Sequence, residues 1–200
     1  MASGSGRTLK AAIEQLPSMD CPHHKVVSLT GNISPDGSAA FYNVIFTMSD
    51  RVKARSFPMP LPVIASSPQE REMLLSQPMI QPTLELAARA NVTFVGIGDL
   101  GPNAPLYEDG FITKAELKAL QKAGGVAEIV GWAFDQEGRL IEGITNERVS
   151  SAPIPSRETS LVVALAMGER KLPGIVAAMN RRLVNGLITD ERTAAAILAK

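Results

Sequence analysis

A charge-free apolar run near the end of the chain constrains the fold more than any other stretch. Residues Leu161–Ala166 are all Leu, Val or Ala, and Gly168 and a helical pattern from Glu169 to Arg182 follow at once. Such a run is typical of a strand buried in a parallel sheet, with the glycine at the turn into a covering helix. Because the start of a helix favours negative charge, Lys171 in its first turn is the leading candidate to contact a ligand.

The same alternation of apolar strand and helix runs through the chain. Strands are predicted at Lys25–Thr30, Val92–Gly98, Leu161–Ala166 and Leu187–Ile188, with helices between them. Only 4% of the residues are aromatic, so the core consists of Ala, Val, Leu, Ile and Met. This pattern predicts a single α/β domain over residues 1–200, with a mainly parallel, Rossmann-like sheet covered by helices on both faces.

Further elements follow from periodicity and capping residues. Three prolines force residues 57–64 to run extended along a surface or sheet edge. Phe134–Gly138 resembles a hairpin turn with a return strand from Leu140 to Ile144. Helices are predicted from Thr8 to Pro17, Ala39 to Val52 with an apolar stripe of Phe41, Val44, Ile45 and Met48, Ser67 to Ser76, Gln81 to Ala90, Thr113 to Gly124, and after Thr189 or Asp190.

Composition excludes several classes of protein. The 20 basic and 20 acidic residues balance, and no block of five like charges occurs, so the chain is not expected to bind DNA by itself. The single Cys21 rules out an internal disulfide, and Cys21–His24 is predicted to be a surface turn rather than a metal site. No stretch reaches the ~18 apolar residues that span a bilayer, which predicts a soluble, cytoplasmic protein without a membrane partner.

Polar residues follow the predicted strands where open α/β sheets bind ligands. Thr30, Gly31 and Asn32 follow the first strand, and Gly98 and Asp99 end the second. Because the carboxyl ends of parallel strands share one edge, these residues are expected to line a pocket for a small polar molecule.

Two stretches leave alternatives open. The loop Ser3–Thr8 precedes a helix and is suited to hold a phosphate or carboxylate, but it is equally consistent with a frayed end. Glu128 is an acid within the mostly apolar segment 126–135. It is either a solvent-facing strand residue or a carboxylate that accepts hydrogen bonds from ligand hydroxyls. No catalytic triad order, nucleophile elbow, P-loop, cofactor motif or metal motif occurs, so the residues alone indicate only an α/β domain with an anion-friendly pocket.

Seven collinear motifs resemble one family. They run through essentially the whole chain, at residues 4–8, 27–32, 95–98, 125–138, 146–148, 164–171 and 185–191. Together they are similar to the C-terminal sugar-binding domain of SorC/DeoR-type bacterial transcriptional regulators.

The resemblance implies a sensor domain. Members carry an N-terminal helix-turn-helix domain that binds operator DNA, and they commonly form homo-oligomers such as dimers or tetramers. Their effector domain has a fold similar to sugar-phosphate isomerases and glucosamine-phosphate deaminase, and binds a sugar, polyol or sugar phosphate without a cofactor. On this basis the DNA-binding domain and the strand before Ser3 are expected to be absent from this chain.

The resemblance also implies roles for individual residues. Glu128 matches the acid that binds hydroxyls, and Lys171 the lysine that faces a phosphate or sugar. Two departures occur: Met167 stands where the family often has a glycine, and Thr30 stands where members that recognise bisphosphates have an arginine. The remaining ligand-binding candidates are Gly4, Ser5, Gly6, Arg7 and Thr8 in the first loop, Thr30, Gly31 and Asn32 in the second, and Gly98 and Asp99 in the third.

The alternative function is enzymatic. A sugar-phosphate isomerase or deaminase on this fold would need an acid and a base beside its substrate, and Asp99 with Glu128 is the available pair. A DNA-binding module is disfavoured because the net charge is zero.

Overall fold

The computed structural model describes residues 1–40, 42 and 44–199. It is an α/β fold in which most strands are followed by a helix. The elements in chain order are β1 (Ala2–Ser3), α1 (Arg7–Glu14), β2 (Lys25–Ser28), α2 (Ile45–Val52), β3 (Arg55–Phe57), α3 (Pro68–Leu75), α4 (Gln81–Ala88), β4 (Val92–Gly96), β5 (Gly98–Asp99), α5 (Pro105–Glu108), α6 (Lys114–Lys122), β6 (Gly125–Ile129), β7 (Trp132–Asp135), β8 (Leu161–Leu165), α7 (Leu172–Asn180), β9 (Gly186–Ile188) and α8 (Glu191–Leu198).

The main sheet is six-stranded and parallel, in the order β3-β2-β1-β4-β8-β9. The chain first builds outward from β1 to β3 and then crosses to the other side of β1 to add β4, β8 and β9. Neighbouring connections therefore diverge between β1 and β4, where this topology opens a crevice at the carboxyl ends of the strands. The predicted parallel sheet is confirmed.

Strand β8 shows why helices cover both faces. Val162 and Ala164 are fully buried in one apolar cluster, to which α4 and α7 contribute Ala87 and Ile175. Leu165 faces the other cluster, which α1 and α2 build with residues such as Leu9 and Met48. Successive side chains of a strand point to opposite faces, so a run without polar residues must be covered twice.

A smaller antiparallel sheet, β5-β6-β7, stands beside the main sheet. It begins where the chain leaves β4: after Ile97, Gly98 and Asp99 pair with Glu128 and Ala127 of β6. Helix α7 packs closely on β6 at Gly174, where a Cβ would overlap the Cβ of Ala127. A third apolar cluster, including Leu117 and Leu120 of α6, supports this sheet from behind.

Two expectations about the first half of the chain are wrong. The strand expected to be absent is present as Ala2–Ser3, which pairs with both β2 and β4 in the middle of the sheet. Helix α2 begins at Ile45 instead of Ala39, because Ala39 bridges to Ile33 and the Ala40 N–H donates to the Asn32 carbonyl. Phe41 of the predicted stripe lies outside the described residues, whereas Ile45 and Met48 are buried.

Two further expectations fail in the antiparallel sheet. The predicted strand Val92–Gly98 is split between two sheets at Ile97. The chain turns at residues 135–139 as expected, but beyond it only Leu140 bridges to Phe134, and no strand covers 140–144. The side chain of Asn146 instead bonds both backbone groups of Ala133, with Oδ1 accepting from its N–H at 2.9 Å and Nδ2 donating to its carbonyl at 2.8 Å.

Predicted caps are confirmed. The Ser67 hydroxyl accepts from the Glu70 N–H at 3.1 Å at the start of α3, and Thr113 and Glu116 form the reciprocal capping box of α6. Among the helices of residues 1–40, 42 and 44–199, none has the length and apolarity to cross a membrane.

Candidate functional site

A cavity of about 380 Å³ opens at the carboxyl ends of β1, β2, β4 and β8. It lies where the connections diverge between β1 and β4, and the β6–β7 hairpin closes one side. Its volume falls within the range of sites for small ligands. The lining residues outside the sequence-predicted set include Ser34, Tyr42, Val63, Asn103, Leu106, Asp109, Phe111, Val130, Gly131 and Arg170.

Most of the predicted site residues meet at this cavity, although the chain separates them by up to 166 positions, from Ser5 to Lys171. The fold brings them together because each follows a strand of the same sheet or, for Glu128, the hairpin beside it. Those that line the cavity are Ser5, Gly6, Arg7, Thr8, Thr30, Gly98, Asp99, Glu128 and Lys171.

Three predicted residues do not line the cavity. Gly4 supports the first loop: its N–H donates to the Phe94 carbonyl at 2.8 Å, and a Cβ there would lie 2.8 Å from Val130 Cγ1. A Cβ on Gly31 would overlap the carbonyl oxygens of residues 61 and 62. Asn32 donates its backbone N–H to Met59 at 3.1 Å. The loop after β2 is therefore held against the segment 59–62, which places Gly31 and Asn32 behind the cavity wall.

Glu128 lies at the inner wall of the cavity. It pairs across the hairpin sheet with Gly98, where a Cβ would overlap its Oε1, so the glycine makes room for the carboxylate. Its Oε2 accepts a hydrogen bond from the Gly131 N–H at 2.7 Å. Burial raises the pKa of Glu128, while the N–H groups of Gly131 and Gly98 and the charge of Lys171 act in the opposite direction. The solvent-facing alternative for Glu128 is wrong.

Lys171 also lines the inner wall of the cavity. It ends a short 3-10 turn, Glu169–Lys171, that leads from β8 into α7. The turn is anchored at Gly168, which has φ of 99° and donates its N–H to the Thr193 hydroxyl at 2.8 Å. Burial lowers the pKa of Lys171, and the carboxylates of Glu128 and Asp99 partly offset this effect. None of the salt bridges formed by residues 1–40, 42 and 44–199 includes Lys171.

Two more polar side chains lie deep in the site. Asp99 is 5% exposed, and its Oδ1 accepts from the Gly101 N–H at 3.1 Å. Thr30 is 3% exposed, and its hydroxyl has no hydrogen-bond partner among the described residues. A buried hydroxyl without a partner costs about 1–3 kcal/mol, so a ligand hydroxyl that bonds to it would recover that energy.

The first turn of α1 forms another part of the wall. Its N-cap is Gly6, which provides no side-chain hydrogen bond to the helix, and Arg7, Thr8 and Leu9 line the cavity. The first N–H groups of a helix have no partner inside the helix, so they are suited to bind an oxygen of a ligand.

Arg7 closes the mouth of the cavity. Its Nη2 donates to Asp109 Oδ1 at 2.9 Å, and its Nε donates to the Tyr42 hydroxyl at 2.9 Å. Its guanidinium carbon also lies 4.8 Å from the Tyr42 ring centroid. We name Arg7, Tyr42 and Asp109 the mouth cluster. Sequence reasoning missed Tyr42 and Asp109 as site residues.

The hairpin that carries Glu128 is fixed from outside by Trp132, the only tryptophan. The indole N–H donates to the Ala152 carbonyl at 3.1 Å, and the guanidinium carbon of Arg71 lies 5.7 Å from the ring centroid. Arg71 in turn donates to the Val149 carbonyl at 2.6 Å. Trp132 follows Gly131 directly, so this packing determines where the N–H that holds Glu128 lies.

The site offers both acceptors and donors of hydrogen bonds. Carboxylates of Glu128 and Asp99 accept, Lys171 and the α1 N–H groups donate, and Thr30 can do either. No group of three or more His, Cys, Asp or Glu side chains suited to a metal ion occurs in the described part of the chain.

Comparisons with known proteins agree on one family. The model of a family described as "Putative sugar-binding domain" matches residues 1–199. The chain is 32% identical, over 197 residues, to the erythritol catabolism regulatory protein EryD of Brucella abortus, an alignment that covers 98% of this chain and 62% of EryD. It therefore spans less than two thirds of that relative.

Solved structures show the same fold. A DeoR family transcriptional regulator from Listeria monocytogenes superposes with a TM-score of 0.88 at 21% identity, covering 98% of this chain and 78% of that one. The full-length sorbitol operon regulator SorC from Klebsiella pneumoniae gives a TM-score of 0.87 at 22% identity, covering 98% of this chain and 64% of SorC.

Proposed function

The chain belongs to the sugar-binding domain family of SorC/DeoR-type transcriptional regulators, and we propose that its cavity binds the effector of such a regulator. The effector is a sugar, a sugar alcohol or a sugar phosphate, and its binding changes the affinity of the full-length protein for operator DNA. The observation that carries this proposal is the cavity at the carboxyl ends of the strands. Nine of the twelve residues expected to bind ligand line this cavity.

Each polar group has a proposed role. The carboxylates of Glu128 and Asp99 accept hydrogen bonds from effector hydroxyls, and the unpartnered Thr30 hydroxyl bonds to another. Lys171 and the first N–H groups of α1 donate to effector oxygens. The identity with EryD, a protein named for erythritol catabolism, supports small polyols as the first compounds to test.

Regulation by an effector requires that the cavity be coupled to a change elsewhere in the protein. An effector shifts an equilibrium only through its different affinity for two states, typically about 1–3 kcal/mol of coupling. We propose that the full-length regulator has an N-terminal helix-turn-helix domain, assembles as a homo-oligomer, and acts in the cytoplasm, where operator DNA lies.

A thermal-shift screen tests the proposal. The domain is heated with erythritol, ribitol, sorbitol, free sugars and their monophosphates, and the same panel is run with Lys171→Met. A true effector at ~100 times its Kd should raise the free energy of unfolding by about 2.7 kcal/mol, and the shift should shrink in the variant. No shift with any compound, for properly folded protein, would contradict the proposal.

We further propose that the domain does not catalyse a reaction. The one feature that favours an enzyme is the pair Asp99 and Glu128, which could serve as base and acid. If the domain were such an enzyme, the wild-type domain would convert a sugar phosphate and the Asp99→Asn variant would not. Product formation, followed by NMR at a concentration where the compound binds, distinguishes the two functions.

A further inference from the structure

One edge of the Arg7 guanidinium is already occupied. This is the edge formed by Nε and Nη2, since Nη2 donates to Asp109 and Nε to the Tyr42 hydroxyl, each at 2.9 Å. Arginine binds a phosphate best when two parallel N–H groups meet two of its oxygens. A phosphate entering the cavity would therefore have to displace Asp109 and the Tyr42 hydroxyl to use this edge, or share Arg7 with the Asp109 carboxylate.

A phosphate that takes Arg7 from Asp109 leaves two anions side by side at the mouth of the cavity. The side chain of Asp109 is only 25% exposed, and burial raises its pKa while Arg7 acts to lower it. Without Arg7, this carboxylate would face an incoming phosphate of charge about −1.5 to −2 across the same mouth. The Asp109 carboxylate and the phosphate would repel each other, and partial burial of Asp109 reduces the screening of this repulsion by salt.

The inner wall shows the same balance of charge. Lys171 is the cation that could bind a phosphate in place of Arg7. It interacts electrostatically with the carboxylates of both Glu128 and Asp99. The third lining cation, Arg170, is exposed to solvent, so its attraction is more strongly screened. The Asp, Glu, Arg and Lys side chains of the lining are three acids and three bases: Asp99, Asp109, Glu128, Arg7, Arg170 and Lys171.

We propose that Asp109 is a specificity-determining residue: by holding Arg7, it makes the cavity select an uncharged polyhydroxylated effector over the phosphate ester of the same compound. This inference rests on the proposed function and narrows it to one class of effector. Hydroxyl groups need the donors and acceptors that this cavity offers, and they bring no charge that the three carboxylates would repel.

The test measures selectivity directly. Dissociation constants of erythritol, ribitol and sorbitol, and of their terminal monophosphates, are determined by isothermal titration calorimetry. The wild type is compared with Asp109→Asn, with Asp109→Ala, and with Glu108→Gln as matched control. Glu108 is the neighbouring acid; it is exposed and does not line the cavity, so Glu108→Gln removes the same charge without releasing Arg7.

We expect the wild type to bind at least one polyol about tenfold more tightly than the monophosphate ester of that polyol. In both Asp109 variants the ratio of ester to polyol dissociation constants should fall by about tenfold, which corresponds to 1.4 kcal/mol. Glu108→Gln should keep the wild-type ratio.

The outcomes separate this inference from the proposed function. Tighter binding of an ester than of its polyol by the wild type would overturn the inference and leave the effector role intact. An unchanged ratio in both Asp109 variants would also overturn it. If no compound binds the wild type, the proposed function fails, and the inference fails with it.

Discussion

The inner wall and the mouth of the cavity both carry charged and hydroxyl side chains, but only those at the mouth bond to one another. At the mouth, Arg7, Tyr42 and Asp109 satisfy one another, with two hydrogen bonds of 2.9 Å. At the inner wall, Lys171 forms no salt bridge and the Thr30 hydroxyl no hydrogen bond within the described residues. Buried polar groups without partners are costly, so those that line the cavity are groups that a ligand can stabilise, whereas the mouth cluster is the proposed control on what enters.

The largest effect on stability and effector affinity is expected at Gly98, which lies directly against Glu128 at the inner wall. In Gly98→Ala the new Cβ overlaps Glu128 Oε1, so the carboxylate must leave its position. The free energy of unfolding should fall by about 1–3 kcal/mol, and effector affinity by at least about tenfold. Chemical denaturation and calorimetry measure the two.

Gly96→Ala is the control for stability. Its Cβ would lie 3.5 Å from the Ser5 carbonyl oxygen and 3.9 Å from Leu9 Cδ1, which are ordinary contacts. Equal losses of stability in the two variants would show that Gly98 does not reserve space for Glu128.

The two neighbouring cations should differ in their contribution to binding. Lys171 is partly buried at the inner wall and Arg170 is exposed at the rim. Lys171→Met should weaken effector binding by about 10- to 100-fold, or 1.4–2.8 kcal/mol, and Arg170→Met by less than about threefold. Calorimetry with the tightest compound of the polyol panel checks this, and a larger loss for Arg170→Met would reverse the assignment of wall and rim.

A pH titration tests the burial of Glu128. Its pKa in the folded domain is raised above 4.5, so the folded state binds more protons than the unfolded chain between pH 4.5 and that raised pKa. The free energy of unfolding should therefore fall as pH rises through this window, by at most about 1.4 kcal/mol per pH unit.

Glu128→Gln should remove this decline. Glu72→Gln, which alters an exposed acid on α3, should retain it. Urea denaturation at a series of pH values provides the measurement, and identical pH profiles for Glu128→Gln and the wild type would contradict burial of the carboxylate.

The smallest effect on stability is expected at the mouth. The side chains of Arg7 and Asp109 are 53% and 25% exposed, and exposed ion pairs contribute little. A double-mutant cycle of Arg7→Met and Asp109→Asn should give a coupling energy below about 1 kcal/mol by urea denaturation. A coupling of about 2 kcal/mol or more would make the mouth cluster a structural element rather than a control on entry.

Periodicity was sufficient to predict four of the six strands of the main sheet, β2, β4, β8 and β9. The apolar run that became β8 leads into α7 as expected, and the Thr113 box caps α6. Strand β1 was missed because its two residues are too short to show any period. Strand β5 was missed because nothing in an apolar run tells at which residue the chain leaves one sheet for another.

Some residues of the site could likewise be predicted from the sequence and others could not. Glu128 was identifiable because an acid within an apolar segment needs a reason. Asp109 was not, since its partner Arg7 lies 102 positions away and neither residue is unusual in a polar loop. Gly31 and Asn32 were misplaced because a position at a strand end does not tell which way the loop turns, and contacts with residues 59–62 decide it.

Trp132 makes the hairpin wall observable without any label. The indole is the only one in the chain and follows the glycine that holds Glu128, with Arg71 over its ring. Its emission depends on the position of that cation and on the hydrogen bond to Ala152. Any movement of the Glu128 wall when the cavity fills is therefore expected to change the intrinsic fluorescence, so the wild-type protein can serve as its own optical sensor.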